Sequence, residues 1–314
     1  MKLRTFIHTA NSNATCVGWL SADQLISGGY DYTTKSWNAN TGERTFIGGQ
    51  HPAGIEVSRC RNGQPYIGRA DGAILWLDGS ISTGFGRITE IAVSAERIAV
   101  GCSKLEGGLA IPRIAVYSSN GTLLWARIAS GAVYGLAFST DGEVLYVGEG
   151  QPSGGILYKR SAITGNVLSS RMAASEAITD LAVHGSELAV AQANTGQHVV
   201  CVRYCSASDL QQYAGLARSF PSGVWTIGYN CIGQLVGIGD MDRNIVIVDR
   251  TSGSVVYQSA RPSLVKQIAW HPTNPTLFAV ALSHGVIELH DLVAEPAPTP
   301  APAPTPTKPR GKKN

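Results

Sequence analysis

Catalytic chemistry in this chain would have to come from its histidines, cysteines and carboxylates, so their spacing is the first test. The seven His stand at 8, 51, 184, 198, 271, 284 and 290. None pairs as His-x-x-x-His, and neither a phosphate-cradling Gly-x-x-x-x-Gly-Lys loop nor a Gly-x-Ser-x-Gly nucleophile elbow occurs. His284 and His290 fall on one predicted strand about 20 Å apart, too far to share a metal. The histidines therefore read as turn and surface residues, and no metal or other cofactor is expected. The six Cys, at 16, 60, 102, 201, 205 and 231, are scattered. Cys201 and Cys205 share a strand face but lie about 13 Å apart, beyond disulfide reach. The others read as small buried hydrophobes.

The elements that carry these residues are short strands. Residues 15–48 contain four in succession, each closed by a turn such as 21–23, Gly28-Gly29 or Asn40-Thr41-Gly42. That density of strand and turn is an antiparallel meander. Its first strand recurs with anchors at Val17, Ile55, Ile91, Leu136, Leu181, Ile227 and Ile268, spaced 36 to 46 residues apart. A period near 40 with four strands each predicts an all-β, seven-bladed β-propeller of four-stranded antiparallel blades. Residues 2–9 form a strand with no sheet of its own, and the last meander, from Val265, has three strands instead of four. The two defects predict that 2–9 completes the last blade and closes the ring, which removes an open edge. Thr41-Gly42, Asp78-Gly79, Asn120-Gly121, Thr164-Gly165 and Ser252-Gly253 mark the third turn of each blade. Blade five has no Gly there, which leaves its outer strand undefined. The propeller is assigned to 1–293 and a separate tail to 294–314.

Residues 28–43, GGYDYTTKSWNANTGE, resemble the end of a WD (tryptophan–aspartate) repeat, with Asp31 in the second turn and Trp37 closing the third strand. Asp242 with Asp249, and Asp291, match the same pattern more weakly, as does Leu77-Asp78. The resemblance implies a hydrogen-bonded structural unit of Ser27, Asp31 and Trp37 within blade one, with His8 as a fourth member. It also implies a non-enzymatic scaffold or adaptor that binds other proteins. Residues 118–128 faintly resemble the tryptophan-bearing repeats of quinone-cofactor dehydrogenases, which keeps a propeller enzyme as the weaker alternative. A structural subunit of a large particle, ribonucleoprotein or virion, is the other.

Partner contacts are expected on the face where second and third strands meet, because the connections there are long in adjacent blades: 103–112 in blade three, 149–155 in blade four and 194–197 in blade five. Lys104, Glu106, Gln151, Pro152 and Asn194 lie in them. The connection 216–222 is expected to open on the same face, with Arg218 and Phe220 as anchors. The Pro-rich tail favours extended polyproline, about 35 Å over 296–307, and ends in Lys308, Arg310, Lys312 and Lys313. It reads either as a contact for an acidic protein or nucleic acid, or as a solvated solubility tail. Without those four bases and Glu295 the body is formally neutral, so no global field gathers nucleic acid. The N-terminus lacks the apolar core of a signal peptide and no run approaches a membrane span, so a cytoplasmic location is expected, with nuclear or virion-associated as alternatives. Asn13 and Asn120 sit in glycosylation-acceptor patterns that read as chance matches in that compartment.

Overall fold

A computed structural model describes residues 2–45, 49–151, 154–174, 177–193, 200–213 and 217–293. Over that range the chain forms seven four-stranded antiparallel sheets. In blades one to six the strands follow chain order from the innermost outward. The inner strands are Ala14–Trp19, Ile55–Arg61, Arg87–Val93, Ala132–Phe138, Ile178–His184, Val224–Tyr229 and Val265–Trp270. In the seventh sheet the outermost strand is Lys2–Ile7, paired antiparallel with Val286–Asp291, with Ile7 opposite Val286 and Thr5 opposite Glu288. The N-terminal strand therefore closes the ring. Phe6 is buried and meets the Trp37 ring of blade one at 5.4 Å, so this strand also packs across to the next blade.

One sequence rule fixes how blades stack. The second strand of each blade carries Gly or Ala at the same register position: Gly28, Gly68, Gly101, Gly148, Ala191, Gly239 and Ala281. At the five glycines the following blade delivers a branched aliphatic side chain to that spot. A Cβ on Gly28 would lie 2.4 Å from Ile55 Cγ2, and one on Gly148 would lie 2.3 Å from Ile178 Cγ2. Gly68 faces Ile88, Gly101 faces Val133 and Gly239 faces Val265 in the same way. Each of these aliphatic residues is essentially solvent-free. Ala191 shares a core cluster with Val224, and Ala281 shares one with Ala14. The core is thus a series of wedge-shaped interfaces between neighbouring blades.

Two features depart from the sequence reading. Blade two was aligned on Ile55, but its ladder places Ser58 where blade one has Val17. A polar residue at an otherwise apolar position hid that register. In blade five the third turn is closed by Leu210 at φ 62°, in place of the Gly used at 42, 121, 165 and 253. Leu210 makes the same return hydrogen bond, N–H to the Ser206 carbonyl, that Gly165 makes to Ser161. Its side chain is buried, which offsets the cost of the left-handed conformation. The outer strand there is two residues, Arg218–Ser219.

The interface rule is testable by a double-mutant cycle in thermal or urea unfolding. Gly148→Ala is expected to cost about 1–3 kcal/mol by overpacking, and Ile178→Ala about 2–5 kcal/mol by truncation. The double variant is expected to cost clearly less than their sum, because each change relieves the other. Additive losses would show that the two positions do not share one space.

Candidate functional site at the channel mouth

Each inner strand slips register by one residue near its start, at a β-bulge. The residues passed over are Thr15, Glu56, Thr89, Tyr134, Thr179, Trp225 and Lys266, one per blade. All seven line one cavity of about 420 Å³ at the channel end where the second-to-third turns lie. A bulge re-aims a side chain relative to the strict alternation of a strand, and here seven bulges aim at one mouth. They divide into two groups. Thr15, Thr89 and Thr179 donate to the carbonyls of Ile55, Val133 and Val224 in the next blade, at 2.7, 2.6 and 2.6 Å. Those three latch blades. Glu56, Tyr134, Trp225 and Lys266 furnish the chemistry of the mouth.

Tyr134 and Trp225 are 45% and 39% exposed, and Tyr30, on the same rim, is 37% exposed. Glu56 accepts from Tyr30 Oη at 2.9 Å and from the Arg87 guanidinium at 2.7 Å. Burial and the Glu56 charge push the Tyr30 hydroxyl up to about 12, so it stays a donor. Lys266 Nζ stands 4.0 Å from the centroid of the Trp225 ring.

The floor is a belt of charges. Arg59 reaches Glu90 Oε1 at 2.6 Å and Asp180 Oδ1 at 3.8 Å, tying blades two, three and five across the channel. It can do so because its register position is Gly or Ala in the other six blades (Gly18, Ala92, Ala137, Ala182, Gly228 and Ala269), which leaves the lumen open to one long side chain. Asp180 also accepts from Thr226 Oγ1, Ile227 N and Leu181 N. Glu90 accepts from Ile91 N. Burial pushes both carboxyls up in pKa, opposed by Arg59. Gln267 completes the belt, accepting from Val17 N and donating to the Ser58 carbonyl. Below it lies a second cavity of about 320 Å³, lined in part by Trp19, Cys60 and Trp270.

The residues singled out from sequence fall in several places. Ser27, Asp31 and Trp37 meet at His8. Trp37 Nε1 donates to Ser27 Oγ at 2.8 Å, Ser27 lies 2.7 Å from His8 Nδ1, and His8 Nε2 lies 3.1 Å from Asp31 Oδ1. The chain of donors puts the His8 proton on Nε2 and leaves Nδ1 to accept. Lys35, which the sequence reading missed, donates to Asp31 Oδ2 at 2.9 Å and to the His8 carbonyl. Lys35 is therefore the cation that balances Asp31, and burial holds His8 neutral, lowering its pKa to about 4. Asp242, Asp249 and Asp291 build no such unit. Asp242 is exposed in its turn, and the buried carboxylate there is Asp240, held by Asn244. Asp249 caps the turn through Thr251 N and Ser252 N, and Asp291 binds Thr276 Oγ1 and Val293 N. The matched aspartates in these blades serve their turns, because Val248 and His290 stand where Trp37 would donate. His8, His271 and His290 are buried and hydrogen-bonded, correcting their reading as surface residues; His271 does lie in the first-to-second turn of its blade.

Lys104 and Glu106 lie on regular hairpin structure: 103–112 continues the ladder, with Lys104 opposite Ile111 and Glu106 opposite Leu109. Pairing to the inner strand stops at Arg87–Ser103, so the hairpin tip projects beyond the blade. It carries Leu105 and Leu109, both exposed, while Glu106 is paired with Arg113 at 2.9 Å. In blade four the ladder extends to Gln151 opposite Gly154. Pro152, Asn194 and the tail residues Lys308, Arg310, Lys312 and Lys313 lie outside the described residues. Phe220 is buried in the core between blades five and six, and Arg218 donates to the Gly253 carbonyl at the opposite end of the strands. Neither is a surface anchor, because the short outer strand turns Phe220 inward. The bulge residues were missed in sequence; the visible signal is a non-conforming residue two positions before six of the seven anchors.

Two measurements check this geometry. Arg59→Leu strands two buried carboxyls and is expected to cost about 3–5 kcal/mol; adding Glu90→Gln and Asp180→Asn is expected to recover a large part of it. For His8, the folded-state value lies below the unfolded one, so the unfolded chain takes up the proton first as pH drops. Its contribution, at most about 3 kcal/mol, is complete above pH 6.5 and is lost between 6.5 and 4. Unfolding midpoints across that window are expected to fall in the wild type and to flatten in His8→Gln.

No protein-family model matches the sequence, and no curated protein matches it. Among solved structures, the chain is similar to the WD40 β-propeller domain of Doa1, at TM-score 0.77 and 12% identity over 92% of this chain and 95% of that one. It is also similar to a chain from the mitotic checkpoint complex, at TM-score 0.75 and 13% identity over 92% and 90%. At this identity the likeness is one of architecture. The chain is a seven-bladed β-propeller, an architecture it shares with the WD40 domain of Doa1.

Proposed function

We propose that the protein is a non-enzymatic interaction platform that binds protein partners through the channel mouth and the hairpin of blade three. The observation that carries this reading is the ring of bulges. Seven strands depart from regular pairing at one level, and four of the re-aimed side chains are the aromatic and charged types that anchor interfaces. The exposed Leu105 and Leu109 extend the same face outward. Among the described residues the carboxylates of the mouth are engaged, Glu56 by Tyr30 and Arg87, Glu90 and Asp180 by Arg59, which leaves no acid–base pair poised over the cavity. Membership of a multi-protein assembly fits this surface, and one structural neighbour is itself a chain of such a complex. The basic tail is a second contact, for an acidic protein or nucleic acid, and the cytoplasm is the proposed compartment.

Affinity capture from the source cell, read by mass spectrometry, tests the reading. The intact chain is expected to retain a partner set that Tyr134→Ala with Trp225→Ala loses, with the unfolding midpoint unchanged. Deletion of 296–314 is expected to remove a separate subset. Identical partner lists for the intact and mouth-substituted chains would overturn the assignment of the mouth.

A further inference from the structure

The charges lining the mouth do not cancel pair by pair. Arg87 is matched by Glu56, and Arg59 by Glu90 and Asp180. The third cation, Lys266, has no hydrogen bond or ion pair among the described residues; its ammonium lies over the face of Trp225 at 4.0 Å and feels the Glu56 and Arg87 charges at longer range. The bulge puts it there, since a regular strand would have turned position 266 away from the channel end. Its ammonium is partly desolvated, and burial lowers its pKa. A partly desolvated ammonium facing a cavity with its N–H donors unspent is a site for an anion, because a charge-assisted hydrogen bond there is stronger than one in water. The surroundings set the kind of anion. Trp225 lies against Lys266, Met241 and Tyr134 line the same cavity and suit apolar flanks, and the two rim charges that act on Lys266, Glu56 and Arg87, are committed to each other. A single available cation matches a single carboxylate. A phosphate, with its higher charge and three acceptor oxygens, is better met by clustered arginines. On the floor, Glu90 and Asp180 are both held by Arg59 and by backbone or hydroxyl donors, so neither is available to pair with Lys266.

Resting on the interaction reading above, we propose that the channel mouth recognises an acidic peptide segment, with Lys266 pairing a single Asp or Glu side chain and Tyr134, Trp225 and Met241 receiving the apolar residues beside it.

The test uses the full chain and three pools of fluorescein-labelled nine-residue peptides with identical degenerate flanks and a central Glu, Gln or phosphoserine. Fluorescence polarisation is expected to show the Glu pool binding about tenfold more tightly than the Gln pool, the worth of one charge-assisted hydrogen bond. Lys266→Met is expected to abolish that preference and Lys266→Arg to retain it, with unfolding midpoints reported for both. Equal binding of the Glu and Gln pools, survival of the preference in Lys266→Met, or absence of binding by the Glu pool would overturn the proposal. Binding by the phosphoserine pool alone would overturn it in favour of a phosphopeptide. Tyr134→Ala separates the two levels of the argument. If it weakens the Glu and Gln pools equally while Lys266→Met changes neither, the mouth remains a protein-binding surface and the carboxylate assignment falls.

Discussion

The contact on which the ring depends is the insertion of one aliphatic side chain into the space above a Gly of the preceding blade. Ile55 over Gly28, Ile88 over Gly68 and Ile178 over Gly148 are three instances of one geometry. The approach leaves no room for a Cβ, so the small residue is a steric requirement. Interior packing is dense enough that a single added methyl is felt. Because the same step recurs around the ring, each interface sets the angle at which the next blade is presented. Any systematic loosening would spread to the channel, whose width follows from how closely neighbouring blades pack.

The bulges follow from that packing. The inserted aliphatic residue, such as Ile55 or Ile178, sits immediately before the bulge, and a channel-floor residue such as Val57 or Asp180 sits immediately after it. A strict alternation would give one face to the neighbouring blade and the other to the opposite blade, with nothing for the mouth. The extra residue supplies a third direction. Thr at three of these positions turns it back into blade-to-blade hydrogen bonding, which is a structural use. The four positions that are not Thr have given up that latch, and their side chains are Glu, Tyr, Trp and Lys. The absence of the latch at four equivalent sites around one cavity is the geometry on which the proposed contact surface rests.

The propeller was legible because its signal is redundant: seven similar strands at a period near 40 survive a misaligned anchor at Ile55. The closing strand was legible from two complementary defects. Asp31 and Trp37 pointed to their partners through a spacing that one blade retains. The mouth was not legible, because a bulge leaves no mark in a single strand's composition; Tyr134 reads as another β-former and Lys266 as a solvent-facing charge. Phe220 and Arg218 misled because connection length does not say which side chain turns inward. Lys35 escaped notice because a Lys in a strand ordinarily snorkels to water, whereas here it is buried against the His8 carbonyl and Asp31.

That last group explains why a full polar unit belongs in blade one. Every sheet but the seventh is continuous along the chain; in the seventh, Lys2–Ile7 comes from the other end of the sequence and joins Val286–Asp291 by sheet pairing and side-chain contacts. A terminal strand held in this way is the natural place for the ring to fray. His8 is the first residue after it, with its backbone N–H on the Gly285 carbonyl of blade seven and its ring bound to Ser27 and Asp31 of blade one. Lys35 adds a donor to the His8 carbonyl, Arg4 donates to the Asn40 and Thr41 carbonyls, and Phe6 lies against Trp37. To peel the closing strand, the chain would have to break this buried cooperative network at the same time as the sheet edge. The unit of Ser27, Asp31, Trp37 and His8 thus acts at the seam as a clasp. Blade six, whose strands are tied in sequence, holds together with Val248 at the position of Trp37.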